Sequence, residues 1–93
     1  MNAALRVSAN AKITNKRGLH ARASAKLVEA ASRFNSHITV GKDGQCVDAR
    51  SIMGLMLLAA PLGSEIEISA AGEDAQQALT AILALIDAKF GEE

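Results

Sequence analysis

The spacing of apolar residues along this chain changes repeatedly between the period of a strand and that of a helix. From Leu5 to Thr14 apolar and polar residues alternate strictly, which predicts a half-buried strand. After a polar turn at 15–18, apolar residues return at helical spacing and predict a helix over about 20–33. Alternation over 38–40, then a Gly-Lys-Asp-Gly break at 41–44 and a short segment over 46–49, predict a hairpin.

The second half of the chain continues the same alternation of elements. A short helix is predicted over 51–59 and a strand over 65–70. An amphipathic stripe then predicts a helix up to about residue 89, and Asp74 with Gln77 three positions later resembles a capping box at its start. The predicted order is therefore βαββαβα.

These elements predict an α+β fold, an open-faced β-sandwich with a four-stranded antiparallel sheet covered on one side by three helices. We expect one domain over residues 1–93, with residues 1–6 as a frayed tail. The large apolar side chains on the helical stripes should form the core: Leu27, Phe34, Leu79, Ile82, Leu83 and Ile86.

Composition narrows the range of functions. Ten basic and ten acidic residues give a net charge of zero, and two Phe without Trp or Tyr offer no base-stacking surface, so we expect no nucleic-acid partner. No apolar run is long enough to cross a bilayer, so no membrane insertion is expected. A single cysteine, Cys46, and no signal-peptide pattern predict a cytoplasmic protein.

The junction between the first strand and the first helix carries the candidate chemistry. A helix that begins near His20 has backbone N–H groups without intrahelical partners, which favour an anion there, and Arg22 adds a cationic fork on the same turn. The imidazole of His20 can accept a phosphoryl group on a ring nitrogen. The alternative to a phosphoryl site is that His20 is only a polar residue at the start of the helix and that Arg22 is only a solvated side chain. No Asp or Glu is near in sequence to orient the ring, and no metal-ligand spacing or cofactor motif is present.

The short helix at 51–59 is apolar nearly all round. Leu55 and Leu58 are expected to point inward, while Ile52, Met53 and Met56 form a separate stripe. An exposed Met-rich stripe is typical of a docking site, and the alternative is a helix buried under loops.

Ser51 is placed to be the N-cap of this helix, which by itself explains its presence. Phosphorylation at Ser51 would be tolerated by the helix dipole but would place negative charge beside the apolar stripe. That charge would weaken binding to an acidic partner.

Four sequence blocks together resemble one known family. The run Gly-Leu-His-Ala-Arg at 18–22 before an amphipathic helix, Ser-Ile-Met-Gly-Leu at 51–55, Gly-Ser-Glu-Ile-Glu-Ile at 63–68 and Gly-Glu-Asp-Ala at 72–75 are similar to the HPr family. These are the histidine-containing phosphocarrier proteins of the phosphoenolpyruvate-dependent phosphotransferase system. The resemblance covers about residues 9–90.

The resemblance implies a phosphoryl carrier rather than a turnover enzyme, with no cofactor and no metal. It implies that Nδ1 of His20 accepts the phosphoryl group from phospho-enzyme I and passes it to enzyme IIA proteins, with Arg22 stabilising the phosphate. It also implies that Ser51 is a regulatory serine phosphorylated by HPr kinase/phosphorylase. The implied docking surface comprises Ile52, Met53 and Met56 with Arg17 and Ala25, and a monomer is expected because that surface must stay free.

The chain departs from the family pattern in two places. Ala23 stands where family members commonly have proline after the arginine, and Arg17 precedes the glycine and adds positive charge. Use in sugar transport or in the nitrogen-related branch stays open. A second hypothesis is a regulatory interaction module that transfers nothing and docks partners through Ile52, Met53 and Met56.

Overall fold

A four-stranded antiparallel sheet forms one layer of the structure, a computed structural model that describes residues 5–92. The strands are β1 (Arg6–Lys12), β2 (His37–Lys42), β3 (Gln45–Asp48) and β4 (Glu65–Ala71). Their order across the sheet is β1-β4-β2-β3, and every neighbouring pair is antiparallel. The predicted fold is confirmed.

Helices make up the second layer. They are α1 (Ala21–Ala31), α2 (Ile52–Leu58) and α3 (Ala75–Asp87), and a 3₁₀ turn (Lys89–Gly91) follows α3. The element order is therefore the predicted βαββαβα.

The core lies between the sheet and the helices. Ile66, Ile68 and Ala70 alternate inward on β4, while Glu65 and Glu67 of the same strand are exposed on the opposite face. This alternation is the period-two pattern read in the sequence. Of the predicted core, Leu27, Leu79, Ile82 and Ile86 are buried, whereas Phe34 and Leu83 are only partly buried at its margin.

The first helix ends earlier than predicted. Beyond Ala31 the backbone turns more tightly, because the N–H groups of Arg33 and Phe34 donate to carbonyls three residues back. The Arg50 guanidinium donates to the carbonyls of Ala31, Phe34 and Ser36. A distant side chain thus satisfies the carbonyls where the helix ends.

The predicted break at 41–44 is also too wide. Gly41 and Lys42 belong to β2, and the turn consists of Asp43 and Gly44, both with positive φ. A two-residue turn with positive φ at both positions matches the right-handed twist of the paired strands.

The capping box predicted at the start of α3 is wrong. The Asp74 side chain makes no cap hydrogen bond and instead accepts from the backbone N–H groups of Asn35 and Ser36, both at 2.9 Å, and from the Ser36 hydroxyl. The Ser36 hydroxyl and then the Asn35 N–H hold the pKa of the Asp74 carboxyl below its usual range. Asp74 therefore ties the loop after α1 to the start of α3.

The predicted frayed tail is wrong for its last two residues. Arg6 pairs with Ala71 in the sheet, and the Leu5 carbonyl accepts from the Gly72 N–H at 2.8 Å. Residues 1–4 lie outside the described part of the chain.

Candidate functional site

A tight loop between β1 and α1 places His20 at the start of α1. The Asn15 carbonyl accepts from the Gly18 N–H at 3.1 Å, and the buried Asn15 side chain donates from Nδ2 to the Gly18 carbonyl at 2.8 Å. The Leu19 N–H then donates to the Ala60 carbonyl at 2.8 Å. Gly18 has φ +67°, and a Cβ there would lie 2.5 Å from the Ala60 carbonyl oxygen, so this position requires glycine.

His20 is the N-cap of α1. Its extended backbone and the bond from the Ser24 N–H to its carbonyl, 2.8 Å, begin the helix. Its Nδ1 accepts from the backbone N–H of Arg22 at 3.2 Å. A nitrogen that accepts an N–H carries a lone pair, so the proton of the neutral ring lies on Nε2. In that tautomer Nδ1 carries the lone pair and Nε2 carries the proton.

A carboxylate lies on the other side of the same ring. Glu92 contacts His20 Nε2 through one oxygen, and its other oxygen accepts from Asn15 Nδ2 at 3.0 Å. The Asn15 amide and then the His20 ring hold the pKa of the Glu92 carboxyl below its usual range. No Asp or Glu is near His20 in sequence, and local sequence does not predict this contact because 72 positions separate Glu92 from His20.

The His20 side chain is mostly covered. Its side chain is 15% exposed, since Glu92 lies against it. Ala23, at the position where the resemblance expects proline, is fully buried and keeps α1 helical from its first turn.

Positive charge surrounds this end of the molecule. Arg17 and Arg22 are exposed, and with Lys16 and Lys26 they line a groove that also includes Gly91 and Glu92. A phosphoryl group on Nδ1 would therefore meet the α1 backbone amides at the positive end of the helix dipole and a local cationic field. Because the chain as a whole has a net charge of zero, this local excess of positive charge cannot be predicted from composition.

The second candidate patch is α2. Ser51 is its N-cap, with Oγ accepting from the Gly54 N–H at 3.0 Å. Leu55 and Leu58 are buried as predicted, and the predicted stripe is exposed, with Met53 the most open of the three at 71%. Leu57, on the same helix but outside the predicted stripe, is also exposed, as is Leu62 in the loop that follows α2.

Comparison with known proteins identifies the relatives of this fold. A family model described as "PTS HPr component phosphorylation site" matches residues 7–88. Phosphocarrier protein HPr of Cupriavidus necator is 52% identical over 80 residues, which is 86% of this chain and 90% of that protein. The chain belongs to the HPr family. It is thus a phosphocarrier protein of the phosphotransferase system.

Other members of the HPr family show the breadth of the match. A crystal structure of HPr-C-His from Thermoanaerobacter tengcongensis has a TM-score of 0.90 and 46% identity, covering 94% of this chain and 98% of that one. Phosphocarrier protein NPr of Shewanella violacea is 46% identical, covering 86% of this chain and 88% of that protein. Proteins named HPr and NPr thus both match this chain.

Two further properties concern the described chain as a whole. No helix within residues 5–92 is long and apolar enough to cross a membrane. Across the same residues, no group of three or more His, Cys, Asp or Glu side chains is arranged to hold a metal ion.

Proposed function

We propose that this HPr-family chain carries a phosphoryl group on Nδ1 of His20, taking it from phospho-enzyme I and passing it to enzyme IIA proteins. The observation that supports this most is that the two nitrogens of the His20 ring make different contacts. Nδ1 presents its lone pair to the first turn of α1, while Nε2 carries the proton and contacts Glu92. The nucleophile therefore lies where an anion is best stabilised.

The transfer step balances without a metal. The Nδ1 lone pair forms a bond to phosphorus as the donor N–P bond breaks, and that electron pair returns to the donor. Once Nδ1 is bonded to phosphorus, the Arg22 N–H loses its ring acceptor and is free for a phosphoryl oxygen. The Arg22 guanidinium, exposed on the same turn, adds a charge-assisted donor.

The docking surface in this proposal is the exposed face of α2 with its neighbours. Ile52, Met53 and Met56 supply an apolar stripe, and Leu57 is exposed on the same helix. Arg17 and Ala25 are both exposed on the neighbouring elements, and α1 and α2 pack against each other. An acidic partner can thus meet apolar and cationic groups together.

The test is phosphorylation by enzyme I and phosphoenolpyruvate, followed by intact-mass spectrometry. Wild type should gain one acid-labile phosphoryl group, and His20→Ala should gain none. The matched control is His37→Ala, because His37 is the other histidine of the chain and is exposed at the start of β2. Equal phosphorylation of wild type and His20→Ala would reject the proposal, and no adduct in wild type would favour the docking module that transfers nothing.

We also propose that Ser51 accepts a phosphoryl group from ATP through HPr kinase/phosphorylase. The support is its half-buried hydroxyl at the edge of the exposed α2 stripe, where added negative charge would oppose an acidic partner. Incubation with that kinase and ATP should modify wild type and leave Ser51→Ala unmodified. An adduct that persists in Ser51→Ala would refute this assignment.

A further inference from the structure

Residues 89–92, which follow α3, pack beside the His20 ring. Phe90 is fully buried, and its carbonyl accepts from Lys26 Nζ at 2.6 Å. Lys89, Phe90 and Gly91 all have φ between 57° and 76°, so the backbone turns back sharply after α3. This turn and its buried anchor place the Glu92 carboxylate over the site.

Asn15 fixes the orientation of that carboxylate. Both polar contacts of the Asn15 amide are made by Nδ2, one to the Gly18 carbonyl at 2.8 Å and one to Glu92 at 3.0 Å. A flipped amide would point its oxygen at two acceptors, so the amide can take only one orientation. One Glu92 oxygen is thus held by Asn15, and the other is left for His20 Nε2.

We propose that Glu92 is a positioning residue for the phosphoryl carrier, holding the proton on His20 Nε2 while Nδ1 bonds to phosphorus. This inference rests on the proposed function. A carboxylate that accepts from one ring nitrogen fixes the tautomer and stabilises the positive charge that the ring gains when the other nitrogen forms a bond, as in the Ser-His-Asp triad.

The proton count explains why this arrangement suits a carrier. When Nδ1 attacks phosphorus, the ring becomes a cation that keeps its Nε2 proton, and the carboxylate balances the charge. When the phosphoryl group leaves, the N–P electron pair returns to Nδ1 and the ring is again neutral with its proton on Nε2. No proton has to enter or leave, so acceptance and donation use the same protonation state.

The repulsion between Glu92 and the phosphoryl group is limited by the geometry. The carboxylate contacts Nε2 and the phosphoryl group bonds to Nδ1, so the imidazole lies between the two anions. Four cationic side chains line the groove beside them: Lys16, Arg17, Arg22 and Lys26.

The test compares Glu92→Gln with Glu73→Gln, which makes the same change at an exposed carboxylate outside the site. Each protein, with ¹⁵N-labelled histidine, is phosphorylated by enzyme I, and the protonation of His20 Nε2 is followed by ¹⁵N NMR against pH. Wild type and Glu73→Gln should keep the proton to a higher pH than Glu92→Gln, since the carboxylate that contacts Nε2 stabilises the positively charged phosphorylated ring. Acceptance from phospho-enzyme I should be about tenfold slower in Glu92→Gln alone.

Two results would overturn the inference, and they are distinguishable. If phosphorylated Glu92→Gln keeps the Nε2 proton over the same pH range as wild type, Glu92 does not hold it, although the carrier function stands. If wild type takes no phosphoryl group, the proposed function fails and the role of Glu92 fails with it. Circular dichroism of Glu92→Gln should match wild type, because buried Phe90 anchors the segment independently.

Discussion

Gly18→Ala is expected to destabilise the protein through a specific clash at the loop before His20. At φ +67° a non-glycine residue costs about 1–2 kcal/mol. The added Cβ would also lie 2.5 Å from the Ala60 carbonyl oxygen and 2.8 Å from Pro61 Cα, both backbone atoms that cannot rotate away. Relief requires the loop to shift and lose the bond from the Leu19 N–H to Ala60, worth about 1 kcal/mol. We expect a total loss of about 2–4 kcal/mol.

Gly44→Ala is the matched control for this clash. Gly44 also has positive φ, +81°, but a Cβ there would have no neighbour within 4 Å, so only the conformational cost of about 1–2 kcal/mol applies. Urea unfolding followed by circular dichroism measures both variants, since the chain contains no Trp or Tyr. If Gly18→Ala is no less stable than Gly44→Ala, the contact of the loop with Ala60 and Pro61 is not what fixes the start of α1.

Three further predictions concern separate parts of the molecule. Ser51→Ala should lower the free energy of unfolding by about 0.5–2 kcal/mol in urea, because the Gly54 N–H loses its cap; an unchanged midpoint would mean that the cap contributes nothing. Asp74→Asn should be less stable than wild type at neutral pH. The pKa of this carboxyl is lowered in the folded state, so its stabilisation is present above the unfolded value of about 3.9 and fades as the pH falls below it. Thermal unfolding between pH 7 and 2.5 should show the two proteins converging, and a constant gap would contradict this assignment. Arg22→Ala should slow acceptance from phospho-enzyme I by about tenfold or more while leaving the melting temperature unchanged, because its side chain is exposed; equal rates would remove the guanidinium from the site.

Local pattern was sufficient for the architecture of the HPr fold. The alternation over β4 and the helical stripe of α3 predicted the buried residues of both elements, apart from the partly buried Leu83, since burial on one face of a periodic element depends mainly on nearby sequence. Element ends were less predictable. The end of α1 depends on Arg50, a side chain 19 positions from Ala31 whose bonds carry no local signal.

The candidate site likewise contains residues that local sequence predicts and one that it does not. His20, Arg22 and Ser51 were predicted as site residues because helix N-termini have local signatures, and the structure places both His20 and Ser51 at N-caps. Glu92 was missed because its contact with His20 depends on the turn after α3, where Lys89 and Phe90 adopt positive φ. Nothing in the periodicity of the last helix predicts that turn.

The role of Asp74 was also mispredicted, because its hydrogen-bond donors are distant in sequence. Its sequence context suggested a capping box, yet its carboxylate binds the loop at Asn35 and Ser36, which the fold brings to the start of α3. In the folded protein three donors reach this carboxylate, the N–H groups of Asn35 and Ser36 and the Ser36 hydroxyl.

The most direct measurement is the identity of the ring nitrogen that carries phosphorus. The chain, labelled with ¹⁵N-histidine and phosphorylated by enzyme I and phosphoenolpyruvate, should show ³¹P–¹⁵N coupling to Nδ1 of His20, the nitrogen that accepts the Arg22 N–H. Coupling to Nε2 of His20, or to either ring nitrogen of His37, would contradict the arrangement in which Nε2 keeps its proton against Glu92.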